Sequence, residues 1–263
     1  NQMPAKTGVY YIYKEDGTLI YIGKSQNIKK RVNQHFTGIT TKSKRIQAEV
    51  FTITYDETGS ELIALLKESQ EVKVNRPRYN RSQKKSVFPF ALYAEKDSDG
   101  YINLKLEKAD GRKKEITSYG SLQEGKNALF FFTDKYKLCQ KLTGLYATKK
   151  ECFQYKIKEC DGACIGEISP EEYNTRVQNF ITDYSFENKN MILIDRGRTI
   201  NERSAILIED GVYKGYAFYD LNYQITNIEI LKNILIPMQN NRDAKSIIQN
   251  YMRKNKSLKV IHF

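Results

Sequence analysis

Apolar and polar positions follow several different periods along the chain, and each period predicts an element. From Gly8, the segment GVYYIYKEDGTLIYIG reads as two short strands rich in Tyr, Ile and Val around the turn Glu15-Asp16-Gly17, a hairpin signal. Asn27 suits the N-cap of a following helix, IKKRVNQHF, in which Ile28, Val32 and Phe36 recur at helical spacing and Lys29, Lys30 and Arg31 are left for solvent. A third strand is expected over 50–55. Thr58 or Ser60 then caps a helix with the stripe Leu62, Leu65, Leu66 and Val72, which ends before Pro77. The order is ββααβα, a compact α+β unit.

Further on, FPFALYAE and GYINLKLEK form a second strand pair joined through Asp97-Ser98-Asp99-Gly100, and residues 121–144 look helical. Ser169-Pro170-Glu171-Glu172 is a strong helix start: a serine cap, proline at the first position, and two carboxylates facing the positive end of the dipole. MILID, SAILIE and VYKGYAFYD read as strands ahead of an amphipathic helix near 241–254. The expected architecture is α+β throughout, in three parts: 1–86, a small three-stranded sheet with flanking helices; 87–184, a strand pair with a helical Cys-rich region; and 185–263, a small α+β domain of no obvious chemistry.

Composition narrows the chemistry. The 263 residues carry a net charge of +12, and residues 1–90 alone hold sixteen Lys and Arg against eight Asp and Glu. A surface of that sign attracts polyanions, of which phosphate backbones are the commonest, although a solvated basic face would have the same composition. No apolar run approaches the roughly 18 residues that cross a bilayer, and the N-terminus lacks the order of a signal peptide, so a cytoplasmic protein without a membrane partner is expected. The chain opens on Asn rather than Met, which suggests a piece of a longer one. With two histidines, His35 and His262, a His-rich zinc site is excluded. All four cysteines fall within 139–164, which favours a metal cluster or reduced thiols over a disulfide scaffold.

The chemistry-bearing residues concentrate in the first unit. Gly8-Val9-Tyr10 and Tyr21-Ile22-Gly23 place two tyrosines and two glycines on adjacent strands, followed by Lys24, Arg31 and His35, then Glu68 in an apolar helix stripe and Asn80 in RPRYN. In TGVYYIY, LIYIGKSQNIKKRV, ELIALLKESQEVKVNRPRYN, KKSVFPFALY and ECFQYKIKECDGACIGEISPEEYNTRV, the chain resembles the GIY-YIG nuclease superfamily, and specifically the N-terminal half of the UvrC and Cho excision nucleases, from residue 4 to about 180. Similar segments occur fused behind an exonuclease domain like that of the DNA polymerase III epsilon subunit.

The resemblance implies a metal-dependent DNA endonuclease, in the manner of the 3′ incision of nucleotide excision repair, with UvrA and UvrB as loading partners. Phosphodiester hydrolysis needs an activated water, a sink for charge on phosphorus and help for the departing 3′ oxygen. Carried over, Tyr21 is the general base, with Tyr10 and Lys24 orienting it or lowering its pKa. Arg31 clamps phosphate oxygens. Glu68 holds one Mg²⁺ or Mn²⁺, Glu61 being the alternative carboxylate. Asn80 fixes the scissile strand or the metal's waters, or else closes a turn after Pro77. His35 departs from the UvrC pattern, where tyrosine is more usual, and would position phosphate or the base. The UvrC-type proteins carry a cysteine quartet associated with a [4Fe–4S] cluster, so Cys139, Cys152, Cys160 and Cys164 are expected to hold one, with Zn²⁺ or plain thiols as alternatives. A catalytically silent DNA-binding or recruitment module, or a structure-specific nuclease outside excision repair, are the competing functions.

Overall fold

The computed structural model describes residues 3–80, 86–111, 113–148, 150–222 and 228–263; Lys84 and Lys85 of the KKSVFPFALY segment lie outside them. The chain divides into two compact units, one of residues 1–87 with 188–263 and one of residues 88–187.

The first unit opens with β1 (Gly8–Tyr13) and β2 (Leu19–Ser25), followed by α1 (Ile28–Thr37), α2 (Thr41–Glu49), β3 (Thr52–Glu57) and α3 (Glu61–Asn75). The strands form an antiparallel sheet in the order β2-β1-β3. The hairpin turn is closed by Asp16, whose Oδ1 accepts from the Thr18 amide at 2.9 Å. Asn27 caps α1, accepting from the Lys30 amide, and Ser60 rather than Thr58 caps α3 through the Ile63 amide. One face of the sheet packs Tyr10, Ile12, Ile20 and Tyr21 against Ile28, Val32 and Ile46 of α1 and α2. The other packs Val9, Tyr11 and Ile22 against Ala64 and Val72 of α3.

Two expectations for these helices change. Phe36 is 45% exposed, and its neighbour His35 takes the buried position instead. A helix of period 3.6 brings both i+7 and i+8 near the same face, and His35 is drawn inward because a buried hydroxyl meets its ring. In α3, Leu65 is half-buried while Ile63, Ala64 and Glu68 join the buried face.

Residues 188–263 pack with this first unit. β7 (Met191–Arg196), β8 (Glu202–Glu209) and β9 (Val212–Asp220) make a meander, extended by β10 (Ile236–Pro237) beside β9 and β11 (Lys259–His262) beside β7. α7 (Ile228–Asn233) and α8 (Arg242–Lys254) complete it. α8 lies against α3. Asp195 Oδ2 accepts from Ser60 Oγ at 2.7 Å and from Tyr251 Oη at 3.0 Å. Lys73 Nζ pairs with Asp243, itself 5% exposed, at 2.5 Å. The cap and the last turn of α3 are thus both tied to this segment.

In the second unit, β4 (Phe90–Lys96) lies between β5 (Ile102–Lys108) and a short β6 (Thr117–Tyr119). α4 (Leu122–Lys135) ends earlier than residue 144, because Lys137 takes a left-handed backbone and the following turns carry Leu138, Cys139 and Leu142 into the core. α5 (Phe153–Lys156), a 3₁₀ turn at Ala163–Ile165 and α6 (Pro170–Tyr184) follow, with Ser169 capping α6 through the Glu172 amide. Phe132, Tyr173, Val177 and Phe180 fill the centre.

Candidate active site

The β1–β2 register sets the two tyrosines. Tyr10 pairs with Gly23 and Ile12 with Tyr21, so both rings rise from one face of the hairpin, their centroids 5.9 Å apart. Gly23 makes this possible: a Cβ there would stand 2.5 Å from the Tyr10 hydroxyl and 2.8 Å from the Tyr21 ring. Gly8 has a different duty, since a Cβ at that position would lie 2.1 Å from the Asp56 carbonyl and push β3 away from β1.

α1 runs beneath this face and presents Arg31 and His35, one turn apart. The Tyr10 hydroxyl and His35 Nε2 are hydrogen-bonded at 2.8 Å, and the His35 and Tyr21 ring centroids are 5.0 Å apart. The Arg31 charge acts on both tyrosines, while its Nη1 donates to Gln34 Oε1 at 2.9 Å. Lys42, in the first turn of α2, places its ammonium 4.2 Å above the Tyr21 ring, a cation–π geometry.

Glu68 comes from α3, on the opposite side of the sheet, and reaches the site around the outer strand. Along that open side of β2, the Tyr79 amide donates to the Ile20 carbonyl at 3.0 Å. The Asn80 amide group receives the Ile22 N–H at 2.9 Å and donates to the Ile22 carbonyl at 2.7 Å. The Lys24 N–H donates to Glu68 Oε1 at 2.9 Å. Three alternate residues of an edge strand are therefore answered by the chain that carries Glu68 and Asn80.

Burial and charge set the protonation states. Burial holds the Tyr21 hydroxyl above its usual pKa and the Glu68 charge adds to this, while Tyr10 and Arg31 work in the opposite sense. Tyr10 is raised further, by burial and by the neighbouring Tyr21. His35 is pushed down to about 4 by burial and by the positive charges of Arg31 and Lys42, so its ring is neutral at pH 7. Lys42 is lowered by burial and by Arg31, with Glu68 opposing. Tyr10, Tyr21, Arg31, His35 and Glu68 thus share one electrostatic neighbourhood.

Two of the expected residues stand elsewhere. The Lys24 ammonium pairs with Glu61 at 2.6 Å, so the cations that act on Tyr21 among the described residues are Arg31 and Lys42, and the Tyr21 pKa is raised rather than lowered. Asn80 is 1% exposed, with its side-chain amide on the Ile22 backbone, where it braces β2. Glu61 is bonded to Lys24 and Gln26. Lys42 escaped the sequence reading because α2 buries only Ser43 and Ile46, too few positions for a clear stripe.

In the second unit the thiols converge. The Sγ atoms of Cys139, Cys152 and Cys164 lie within 4.8 Å of one another, and Cys152 and Cys160 are 3.6 Å apart. Burial raises the Cys139 thiol to about 12 and Cys160 to about 11. Cys152 is lowered: burial opposes its ionisation, but the Tyr155 amide and three neighbouring thiols outweigh it. Tyr173, fully buried, feels Cys139 and Cys164, and its hydroxyl has no hydrogen-bond partner among the described residues. Three soft donors within reach of one ion, with Cys160 adjoining them through Cys152 and an unpartnered Tyr173 hydroxyl among the described residues, fit a thiolate-bound metal centre.

Residues 6–81 match the UvrC-like GIY-YIG domain, and residues 88–183 match the UvrC/Cho excinuclease middle domain. The chain belongs to the UvrC-like GIY-YIG nucleases. Among relatives, the UvrABC system protein C of Coxiella burnetii is 30% identical over 223 residues, covering 82% of this chain and 35% of that protein. Its counterpart in Legionella pneumophila is 29% identical over 209 residues, 74% of this chain and 32% of that one. The chain therefore spans about a third of the length of these relatives. The solved N-terminal GIY-YIG endonuclease domain of UvrC from Thermotoga maritima, bound to magnesium, is 31% identical; the match covers 30% of this chain and 86% of that one, with a TM-score of 0.29. Among the described residues no helix is long and apolar enough to cross a membrane.

The glycine of the second motif should tolerate no side chain. Gly23→Ala is expected to cost about 1–3 kcal/mol in chemical denaturation through overpacking against Tyr10. Wild-type stability in this variant would show that the two rings have room to spare.

Proposed function

We propose that this chain is a divalent-metal-dependent DNA endonuclease that makes the 3′-side incision of nucleotide excision repair, in the cytoplasm and with UvrA- and UvrB-type proteins as loading partners. The observation that carries the reading is the convergence of a buried carboxylate, Glu68, with the Tyr21 hydroxyl and the Arg31 guanidinium. A hard cation held through one carboxylate, with water and substrate phosphate completing its shell, suits such a donor set.

Bound at Glu68, the cation would supply positive charge that cancels the carboxylate's hold on the Tyr21 proton and polarises the phosphate. The chain's own residues do the rest. Arg31 binds the phosphate oxygens with its fork and, by its charge, favours the ionised form of Tyr21. Ionised Tyr21 accepts the proton of the attacking water as the water oxygen bonds to phosphorus, the P–O3′ bond breaks, and the departing 3′ oxygen takes a proton from solvent. Tyr10, its ring beside that of Tyr21, favours the ionised form of that phenol and is itself hydrogen-bonded to neutral His35. Lys42 adds a second cation over the Tyr21 ring. Against a silent binding module stands the gathering of unlike charges on one phenol, with Glu68 and Arg31 both acting on Tyr21.

We further propose that Cys139, Cys152, Cys160 and Cys164 hold a [4Fe–4S] cluster with a structural or DNA-binding role. Zn²⁺ is the second reading, supported by the close approach of the thiols, because tetrahedral zinc takes four sulfurs at about 2.3 Å.

Glu68→Ala should lower nicking of a labelled duplex in Mg²⁺ by about a thousandfold or more while DNA affinity stays near wild type; retained cutting would remove Glu68 from the metal site. Because the Tyr21 pKa is raised, the rate should climb tenfold per pH unit from 7 to 9, with no inflection near 6.5 since His35 is already neutral there. A plateau beginning near neutrality would contradict a tyrosine base. Anaerobically purified protein should contain about four iron and four sulfide per chain; about one zinc without iron would replace the cluster with a single ion, and neither would end the metal assignment.

A further inference from the structure

Beside the tyrosine cluster, the last turn of α1 and the connection to α2 hold two apolar side chains out in solvent: Phe36 is 45% exposed and Ile39 85%. Single exposed apolar residues are ordinary. These two differ in that the backbone beneath them is fixed. The Gln47 side-chain amide donates to the His35 carbonyl at 2.6 Å and to the Gly38 carbonyl at 3.0 Å, and Thr40 caps α2 through the Ser43 amide. The connection is bracketed by site residues, with His35 just before Phe36 and Lys42 three residues after Ile39. Its setting is strongly basic: residues 28–48 hold six Lys and Arg and no Asp or Glu. Lys29, Lys30, Lys44 and Arg45 are exposed, with no ion pair among the described residues. A rigid apolar tip flanked by unneutralised cations matches the chemistry of a phosphate backbone on either side of an opened base step.

We propose that Phe36 and Ile39 form a wedge that enters the base stack of distorted duplex DNA beside the bond to be cut, while the α1 and α2 cations track the phosphates. This rests on the nuclease reading above and adds to it the source of substrate choice. Inserting an apolar side chain costs the unstacking of a base step, and that cost is least where the stack is already broken. The wedge therefore favours mismatched or damaged duplex over intact DNA without any base-specific contact. Because the His35 carbonyl is held by the same Gln47 amide as the wedge loop, and the His35 ring by Tyr10, insertion and the catalytic cluster share one rigid element.

The test uses the whole chain with a 30-base-pair duplex, either fully paired or carrying one central mismatch flanked by 2-aminopurine. Wild type is expected to raise 2-aminopurine fluorescence on the mismatched duplex. The double variant Phe36→Ala/Ile39→Ala should lose that rise and bind the mismatched duplex about tenfold more weakly, the loss of one base–aromatic stack, with its salt dependence unchanged. Lys44→Ala/Arg45→Ala should instead flatten the slope of log affinity against log salt by about 2 and keep the fluorescence rise at saturation. Wild-type fluorescence and affinity in the Phe36/Ile39 variant would overturn the wedge, and so would an equal loss on paired and mismatched duplex. The nuclease reading fails separately, if wild type does not nick either duplex in Mg²⁺.

Discussion

An outer strand leaves alternate backbone N–H and C=O groups without a sheet partner, and a buried edge must find other groups for them. In this chain the open side of β2 is answered by Tyr79, Asn80 and Glu68 in turn, against Ile20, Ile22 and Lys24. Those ladder bonds fix where α3 and the segment after it come to rest along β2. Tyr21 sits on the same strand, between the residues so bonded. The carboxylate is therefore anchored on the backbone of the strand that carries the phenol, which is the preorganisation that an electrostatic catalyst needs.

The second constraint is the low polarity of the tyrosine face. Burial raises both phenols and lowers both the His35 imidazole and the Lys42 ammonium, so the resting cluster disfavours ionisation of the residues whose charge can change. Arg31 and Glu68 bring charge of opposite sign to it, with Lys42 a second cation over the Tyr21 ring. The site is thus poised to respond to positive charge arriving beside Glu68, which removes the second-largest reason that Tyr21 stays protonated. Residues 188–263 contribute from outside. By binding the cap of α3 at Ser60 and its last turn at Lys73, they hold the helix that carries Glu68 from both ends.

Much of this was legible from local pattern. The hairpin, the Asn27 and Ser169 caps and the spacing of the two motif glycines follow from residue types and short periods. What was not legible depends on contacts far apart in sequence. Lys24 follows the second motif directly and looks like a partner for Tyr21, but its long side chain reaches Glu61, 37 positions away. Phe36 fits the helical period as well as His35 does, and only the Tyr10 hydroxyl decides between them. The link from Ser60 to Asp195 spans 135 positions, beyond any periodicity. The cysteines were visible as a cluster, but the orphaned Tyr173 hydroxyl beside them was not.

The interdependence of the β2 edge is measured most directly by amide hydrogen exchange at Ile22 and Lys24 in wild type and in Asn80→Ala. If Asn80 and Glu68 close one cooperative edge, removing the Asn80 amide should release protection at Lys24 as well as at Ile22, and divalent-cation affinity should fall with it. Protection at Lys24 and cation affinity both unchanged, with only Ile22 exchanging faster, would mean that Glu68 holds its place without the edge.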